Sequence, residues 1–348
     1  MSTLVACEKP KKFSTTYYNT ASDLEKKSIN IRIGGRGLGK TCSAFYNAFT
    51  DFIENGDKFV IVRRQQTEPV SLLSDIACFF PENEISVEYD KKSCITTIFI
   101  DGDIAGFLLS LSCCTKYKSH YFNAKTIIFD EFIKAPTEKR VCEDEAFSFL
   151  ELMETIIRDD TDVTVLLLSN ATKLANDYFS MWQINIDILA ENEILYINDV
   201  VNIKLLPATT LYLKRKSKTL TYQASINTPY FSYAYNNIFN TDILKFFVKE
   251  KKSFVLPAND DFYFSYKNNC YHVGEKFISQ IEFEDIPKKA VVFSDNPIYQ
   301  RNSLIMDKTG LIFKISERLT NKLYKRELYF DTLNTAVNLS APLFALEV

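Results

Sequence analysis

The chain has 348 residues, 46% of them hydrophobic and 14% aromatic, with a formal net charge of −3. This is globular composition with room for two domains, and it argues against long disordered tails and a globally basic nucleic-acid coat. Basic residues lining a groove stay compatible with it, because only charge within a Debye length acts on a partner.

In chain order, Ile29, Ile31 and Ile33 alternate as a short strand, which runs into the glycine-rich stretch 34–41. Ala44, Phe45, Ala48, Phe49 and Phe52 then recur at helical spacing. Residues 58–64 (KFVIVRR) read as a second strand and 71–80 as a helix. ISVEY, SCITTIFI and IAGFLLSLS, with Asp90-Lys91-Lys92 and Asp101-Gly102-Asp103 between them, predict an antiparallel meander. TIIFDEF (126–132) and VTVLLLSN (163–170) are near-continuous apolar runs, the pattern of buried parallel strands, and 143–158 between them is an amphipathic helix. Beyond about residue 200 come a basic run, LKRKSK (213–218), an aromatic stretch (228–239) and, from about 250, short strands separated by polar turns.

The predicted fold class is α/β: a P-loop NTPase core with a mostly parallel sheet over 1–200, a linker or lid over 201–250, and a small α+β C-terminal domain over 251–348. Eight cysteines without a C-x-x-C, and only two histidines, point to reduced thiols in a cytosolic compartment rather than zinc. The start, MSTLVACEKPKKF, has too short an apolar run for a signal peptide, and no stretch approaches the roughly 20 apolar residues of a membrane helix.

Gly34-Gly35-Arg36-Gly37-Leu38-Gly39-Lys40-Thr41 satisfies G-x-x-x-x-G-K-[ST] between a predicted strand and a helix. The glycines let backbone N–H groups turn toward phosphate oxygens, and the helix adds its positive end. Lys40 would reach the β- and γ-phosphates of ATP, and the Thr41 hydroxyl would bind Mg²⁺. The apolar strand ending in Asp130 supplies a carboxylate for that metal, and Glu131 beside it suits activation of an attacking water. Asp103-Ile104-Ala105-Gly106 spells the D-x-x-G of GTPases but lies in the meander, without a guanine signature.

GGRGLGKT, FVIVRR, TIIFDEFI, LMETIIR and LLLSNA, in this order and spacing over about residues 29–180, resemble the genome-packaging ATPases of phi-29-type tailed phages. The resemblance implies a ring ATPase of the additional-strand, catalytic-glutamate class, related to large terminases. It further implies a homopentamer pumping double-stranded viral DNA through the portal of a prohead, directly or through a packaging RNA. Such a protein works in the host cytoplasm and transiently at the portal vertex, not in a membrane.

Carried onto this sequence, the resemblance makes Lys40 and Thr41 the phosphate-loop pair and Asp130 and Glu131 the metal and water residues. Arg36 would sense the γ-phosphate; otherwise it is a solvated rim arginine. Arg158 matches a trans-acting arginine finger, whereas the residues alone read it as a helix-end arginine complementing the dipole. Ser169-Asn170 resemble a coupling or sensor position holding Glu131 inactive until DNA engages; the alternative is a strand-end turn. Arg63-Arg64 would contact nucleotide or a neighbour, or form a surface pair, and Lys118 falls near the subunit interface. Lys214, Arg215 and Lys216, with Lys218, would form a lid over ATP, touch DNA, or make a solvated loop. The chain departs from the family at Gln65-Gln66-Thr67, where a lysine is expected.

The C-terminal domain is expected to be a vestigial RNase-H-like nuclease without cutting activity, since Asp260, Asp261, Asp295 and Asp307 form no evident two-metal pattern. Two other readings stay open: another ring-forming translocase or helicase, and a nucleotide-binding scaffold without rapid turnover.

Overall fold

The computed structural model describes residues 2–3, 12, 17–66, 69–135, 138–170, 176–184, 193–228, 231, 234–235, 261–266, 269–294 and short stretches between 319 and 339. Asp260, Asp295 and Asp307 lie outside the described residues, as does much of the aromatic stretch 228–239. The chain divides into two compact units, Met1–Lys173 with Leu189–Asn240, and Leu174–Ile188 with Thr241–Val348.

The first unit is built on a ten-stranded sheet. Its elements are β1 (Ser2–Thr3), β2 (Ile29–Gly34), α1 (Lys40–Asn55), β3 (Phe59–Arg63), α2 (Pro69–Ala77), β4 (Ile85–Asp90), β5 (Ile95–Ile100), β6 (Asp103–Ser110), β7 (Thr126–Asp130), α3 (Glu145–Ile157) and β8 (Thr164–Ser169). The second unit's α4 (Asp177–Met181) intervenes before β9 (Ile194–Tyr196), β10 (Val201–Leu206), α5 (Thr210–Lys216) and α6 (Leu220–Ser225) complete the first. The strand order is β1-β4-β5-β6-β3-β7-β8-β2-β10-β9. From β6 to β10 every pairing is parallel, and the meander β4-β5-β6 extends the same sheet antiparallel.

One strand, β8, stands between β2 and β7, the additional-strand arrangement. Buried on both faces, the parallel strands run almost wholly apolar: Val60, Ile61, Ile127, Ile128, Leu167 and Leu168 are all buried. Phe45, Ala48 and Phe49 press one face of α1 onto Phe59, Ile61, Ile128 and Leu166. Helix ends follow their caps. The Asp144 side chain accepts from the Phe147 N–H to start α3, and Gly56, in the left-handed region, ends α1.

The segment expected to be a linker is largely part of this unit. Val201–Leu206 pairs in parallel with the whole of β2, so the sheet continues past residue 200. Asn30 and Arg32 are buried with it: Arg32 donates to Asn202 Oδ1 at 2.7 Å and Asp23 Oδ1 at 3.1 Å, and Lys204 reaches Asp23 at 2.8 Å. A strand bearing charge at this position forms only because its partners come with it.

The second unit holds β11 (Phe262–Tyr266), β12 (Asn269–Val273), β13 (Phe277–Ile281), β14 (Val292–Phe293) and β15 (Tyr329–Phe330), ordered β14-β11-β12-β13-β15. Tyr263, Cys270, Ile286, Ala290 and Val292 form its core, and Asp261 pairs with His272 at 2.8 Å. Among the described residues no helix is long and apolar enough to cross a membrane.

Arg64 is not at the surface. It is 4% exposed and donates to both Glu145 carboxylate oxygens, at 2.8 and 2.7 Å, to the Lys139 carbonyl at 2.9 Å, and to Glu138. Its place is structural, tying β3 to the start of α3. Arg64→Met leaves Glu145 buried without its cation and should lower unfolding stability by about 3–5 kcal/mol. Denaturant titration of the variant against wild type checks this.

Candidate functional site

At the carboxyl ends of β2, β8 and β7 a cavity of about 820 Å³ opens, lined by Arg36, Gly37, Gly39, Lys40, Thr41, Asp130, Glu131, Ser169 and Asn170 among others. Parallel strands put all these ends on one edge, where α/β sheets hold ligands. The loop 34–39 leaves β2 and delivers Lys40 and Thr41 as the first residues of α1. Gly37 and Gly39 sit at φ 80° and 98°. A Cβ on Gly37 would meet the Lys216 side chain, and one on Gly39 would meet Tyr17. Side chains at either place would strain the backbone and crowd the cavity.

Lys40 is nearly buried and donates to the Gly34 and Gly35 carbonyls at 2.8 and 3.0 Å and to Asn170 Oδ1 at 3.2 Å. Burial pushes its ammonium pKa down to about 8; Asp130 and Glu131 oppose the shift, and Arg36 adds to it. Thr41 Oγ1 donates to Asp130 Oδ1 at 2.7 Å. This adjacent pair of hard oxygen ligands, one a buried carboxylate, fits Mg²⁺. Burial pushes the Asp130 carboxyl above its ordinary value, and the Arg63 guanidinium and Thr41 hydroxyl pull it back.

Glu131 follows at φ 57°, a left-handed turn rare for a side-chain-bearing residue and often found at functional sites. Arg63 bridges the acidic pair: Nη1 binds Asp130, and Nη2 donates to Glu131 Oε2 at 2.8 Å. The partner of Glu131 is therefore Arg63. Asn170, expected to restrain the glutamate, contacts Lys40 instead. Ser169 ends β8, 4% exposed, on the cavity wall.

The basic run splits. Lys214 and Lys218 are exposed, while Arg215 and Lys216 turn onto the phosphate loop from the end of α5. Arg215 donates to the Gly37 carbonyl at 2.9 Å and lies 4.3 Å from the centre of the Tyr17 ring. Burial, then Arg215 and Arg36, hold the Lys216 ammonium below its ordinary pKa. Leu38, Leu206, Tyr212, Ala234 and Tyr235 pack this segment against the loop, and the Arg36 backbone is pinned by Ala234 and Tyr212.

Arg158 does not line the cavity. It caps the C-terminus of α3 at φ 51°, exposed, with Nη2 donating to the His120 carbonyl at 2.9 Å and its guanidinium 5.5 Å from the centre of the Tyr121 ring. Lys118, also exposed, lies in the turn 117–120 that supplies the His120 carbonyl. Sequence reasoning missed Tyr17, Asp75, Ile76, Phe79 and Thr219 on the cavity wall. None sits in a motif; Asp75 and Ile76 sit on a helix whose period reads only as amphipathic.

The family described as Podovirus DNA encapsidation protein (Gp16) matches residues 13–296. The DNA packaging protein of Bacillus phage phi29 is 29% identical over 263 residues, 74% of either chain. A solved structure of the Phi-28 gp11 DNA packaging motor superposes with a TM-score of 0.67 at 17% identity, covering 96% of this chain and 99% of that one. The bacteriophage Phi-29 viral genome packaging motor assembly gives 0.66 at 21% identity, covering 95% and 99%. Both have this fold.

A polyphosphate at the loop would hold Lys40 protonated, so binding takes up a proton once the pH passes about 8. Affinity for ATP should therefore be flat below that pH and fall above it. Calorimetric titrations across the range, in buffers of differing ionisation heat, read both the affinity and the proton uptake.

Proposed function

Because the chain belongs to the Podovirus DNA encapsidation protein family, we propose that it hydrolyses ATP to drive double-stranded viral DNA through the portal into a preformed procapsid. The observation that carries this reading is the junction of Thr41 with Asp130 beside an Arg63-held Glu131, at the foot of a cavity ringed by Arg36, Lys40, Arg215 and Lys216. That set has a phosphate cradle, a metal carboxylate and a base, the parts phosphoryl transfer to water needs.

In this reading Lys40 and the loop amides bind the β- and γ-phosphates, with Arg36 reading the γ-phosphate and Arg215 and Lys216 closing over the loop. Thr41 and Asp130 would hold Mg²⁺, which would supply charge neutralisation at the transferring phosphoryl. Glu131 orients the attacking water and takes its proton. Arg63 occupies Glu131 Oε2, so engaging a water with that oxygen requires the ion pair to open. Asn170 and Ser169 stand where they can pass the state of Lys40 to the strand beneath.

Arg158 is exposed and off its own cavity, which supports an action in trans on the γ-phosphate of a neighbour in a homo-oligomeric ring, a pentamer by family resemblance. Lys118 would share that interface. The second unit is read as a nuclease-like domain that cuts nothing and docks to the portal or its RNA. The ring would form in the host cytoplasm and on the portal vertex.

Glu131→Gln should bind ATP normally and lose turnover by about 100-fold or more. Arg158→Ala should lower DNA-stimulated ATPase by about 1000-fold and poison rings when mixed with wild type. Steady-state ATPase and packaging assays on proheads read these effects. Wild-type turnover by Arg158→Ala alone, with DNA present, would sink the finger. A strand-displacement assay should find duplex moved without unwinding.

A further inference from the structure

The segment after β6 presents an aromatic side chain away from the nucleotide cavity. Residues 117–122 are anchored at both ends. Tyr117 is fully buried, and its hydroxyl accepts from the Ser110 N–H at 3.0 Å and donates to the Cys94 carbonyl at 3.3 Å. Phe122, also buried, packs edge-on against Tyr117 and Phe107, with ring centres 6.4 and 5.2 Å away. The His120 N–H closes the turn on the Tyr117 carbonyl at 2.9 Å. Between these anchors Tyr121 stands 69% exposed, where its ring gains little from burial. Among the described residues its ring contact is the Arg158 guanidinium, 5.5 Å from the ring centre.

Arg158 is constrained from its own side as well. It ends α3 at φ 51° and ψ −119°, a setting that glycine takes readily and a side-chain-bearing residue takes only under strain. Its N–H completes the last helical turn on the Glu154 carbonyl at 2.9 Å. Two neutral groups then grip the guanidinium: the His120 carbonyl at 2.9 Å and the face of Tyr121. Arg32, Arg63 and Arg64 are each engaged by carboxylates, whereas among the described residues no carboxylate pairs with Arg158. A carbonyl and a ring face orient a cation without neutralising it, so its whole charge stays open to an anion.

Resting on the reading of Arg158 as acting in trans, we propose that Tyr121 is the positioning residue of that arginine. The ring sets the plane of the guanidinium, the His120 carbonyl fixes one edge, and the side chain is aimed before subunits meet. A free arginine would lose its rotamer freedom on reaching the phosphate; one held in advance has already lost it. Tyr121 itself touches neither nucleotide nor water in this role.

The test is steady-state ATPase of the full chain, with DNA and proheads, for variants at 121. Tyr121→Ala and Tyr121→Leu should lower kcat about threefold to fivefold with KM for ATP unchanged, and Tyr121→Phe should keep wild-type turnover. In an Arg158→Ala background, Tyr121→Ala should cause no further loss. Four results would overturn the positioning role while Arg158→Ala stays defective. They are wild-type turnover in Tyr121→Ala, wild-type turnover in Tyr121→Leu, a raised KM in place of a lowered kcat, and a full added loss in the Arg158→Ala background. Wild-type turnover by Arg158→Ala would remove the finger itself and this proposal with it.

Discussion

The contact on which the site depends is the 2.7 Å hydrogen bond from Thr41 to Asp130. It joins a loop leaving β2 to an acid ending β7, across the intervening β8. The parallel register sets the span: Ile33 pairs with Ser169 and Asp130 with Leu168, so the strands end within a residue or so of one another. A slip of one residue would turn Asp130 to the other face of the sheet. The same register places Ser169 and Asn170 between phosphate loop and acid, where Asn170 meets Lys40.

Charge is the second constraint. Arg36, Lys40, Arg215 and Lys216 crowd one cavity, and like charges in a partly buried place repel. The acidic pair offsets Lys40, yet Arg63 already engages both carboxylates. The basic end of α5 is held against the loop by apolar contact, with Leu38, Leu206 and Tyr212 buried between them. Each such side chain contributes roughly 1.5–3 kcal/mol, enough to keep cations together until an anion engages them.

The sequence was legible where local pattern and chemistry coincide. The glycine loop, Asp130-Glu131 at the end of a continuous apolar run, and the alternating meander each announce themselves, because their spacing alone sets their geometry. Arg63 and Arg64 show where that stops. Adjacent residues at a strand end point to opposite faces, so one reaches Asp130 and Glu131 and the other Glu145. Which is which depends on pairing with β7, which no local pattern encodes. Residues 201–206 were unreadable as sheet for the same reason: their partner, β2, lies far back in the chain. The two halves of the basic run look alike, and only packing on Leu38 separates Arg215 and Lys216 from the solvated Lys214.

The chain leaves the first unit at Lys173–Leu174, returns at Ile188–Leu189 and leaves again at Asn240–Thr241. The first exit comes only a few residues beyond Asn170, at the end of the strand between phosphate loop and acid. Neither unit is one contiguous stretch, so truncation at any one of these boundaries leaves part of the second unit behind or takes part of the first with it.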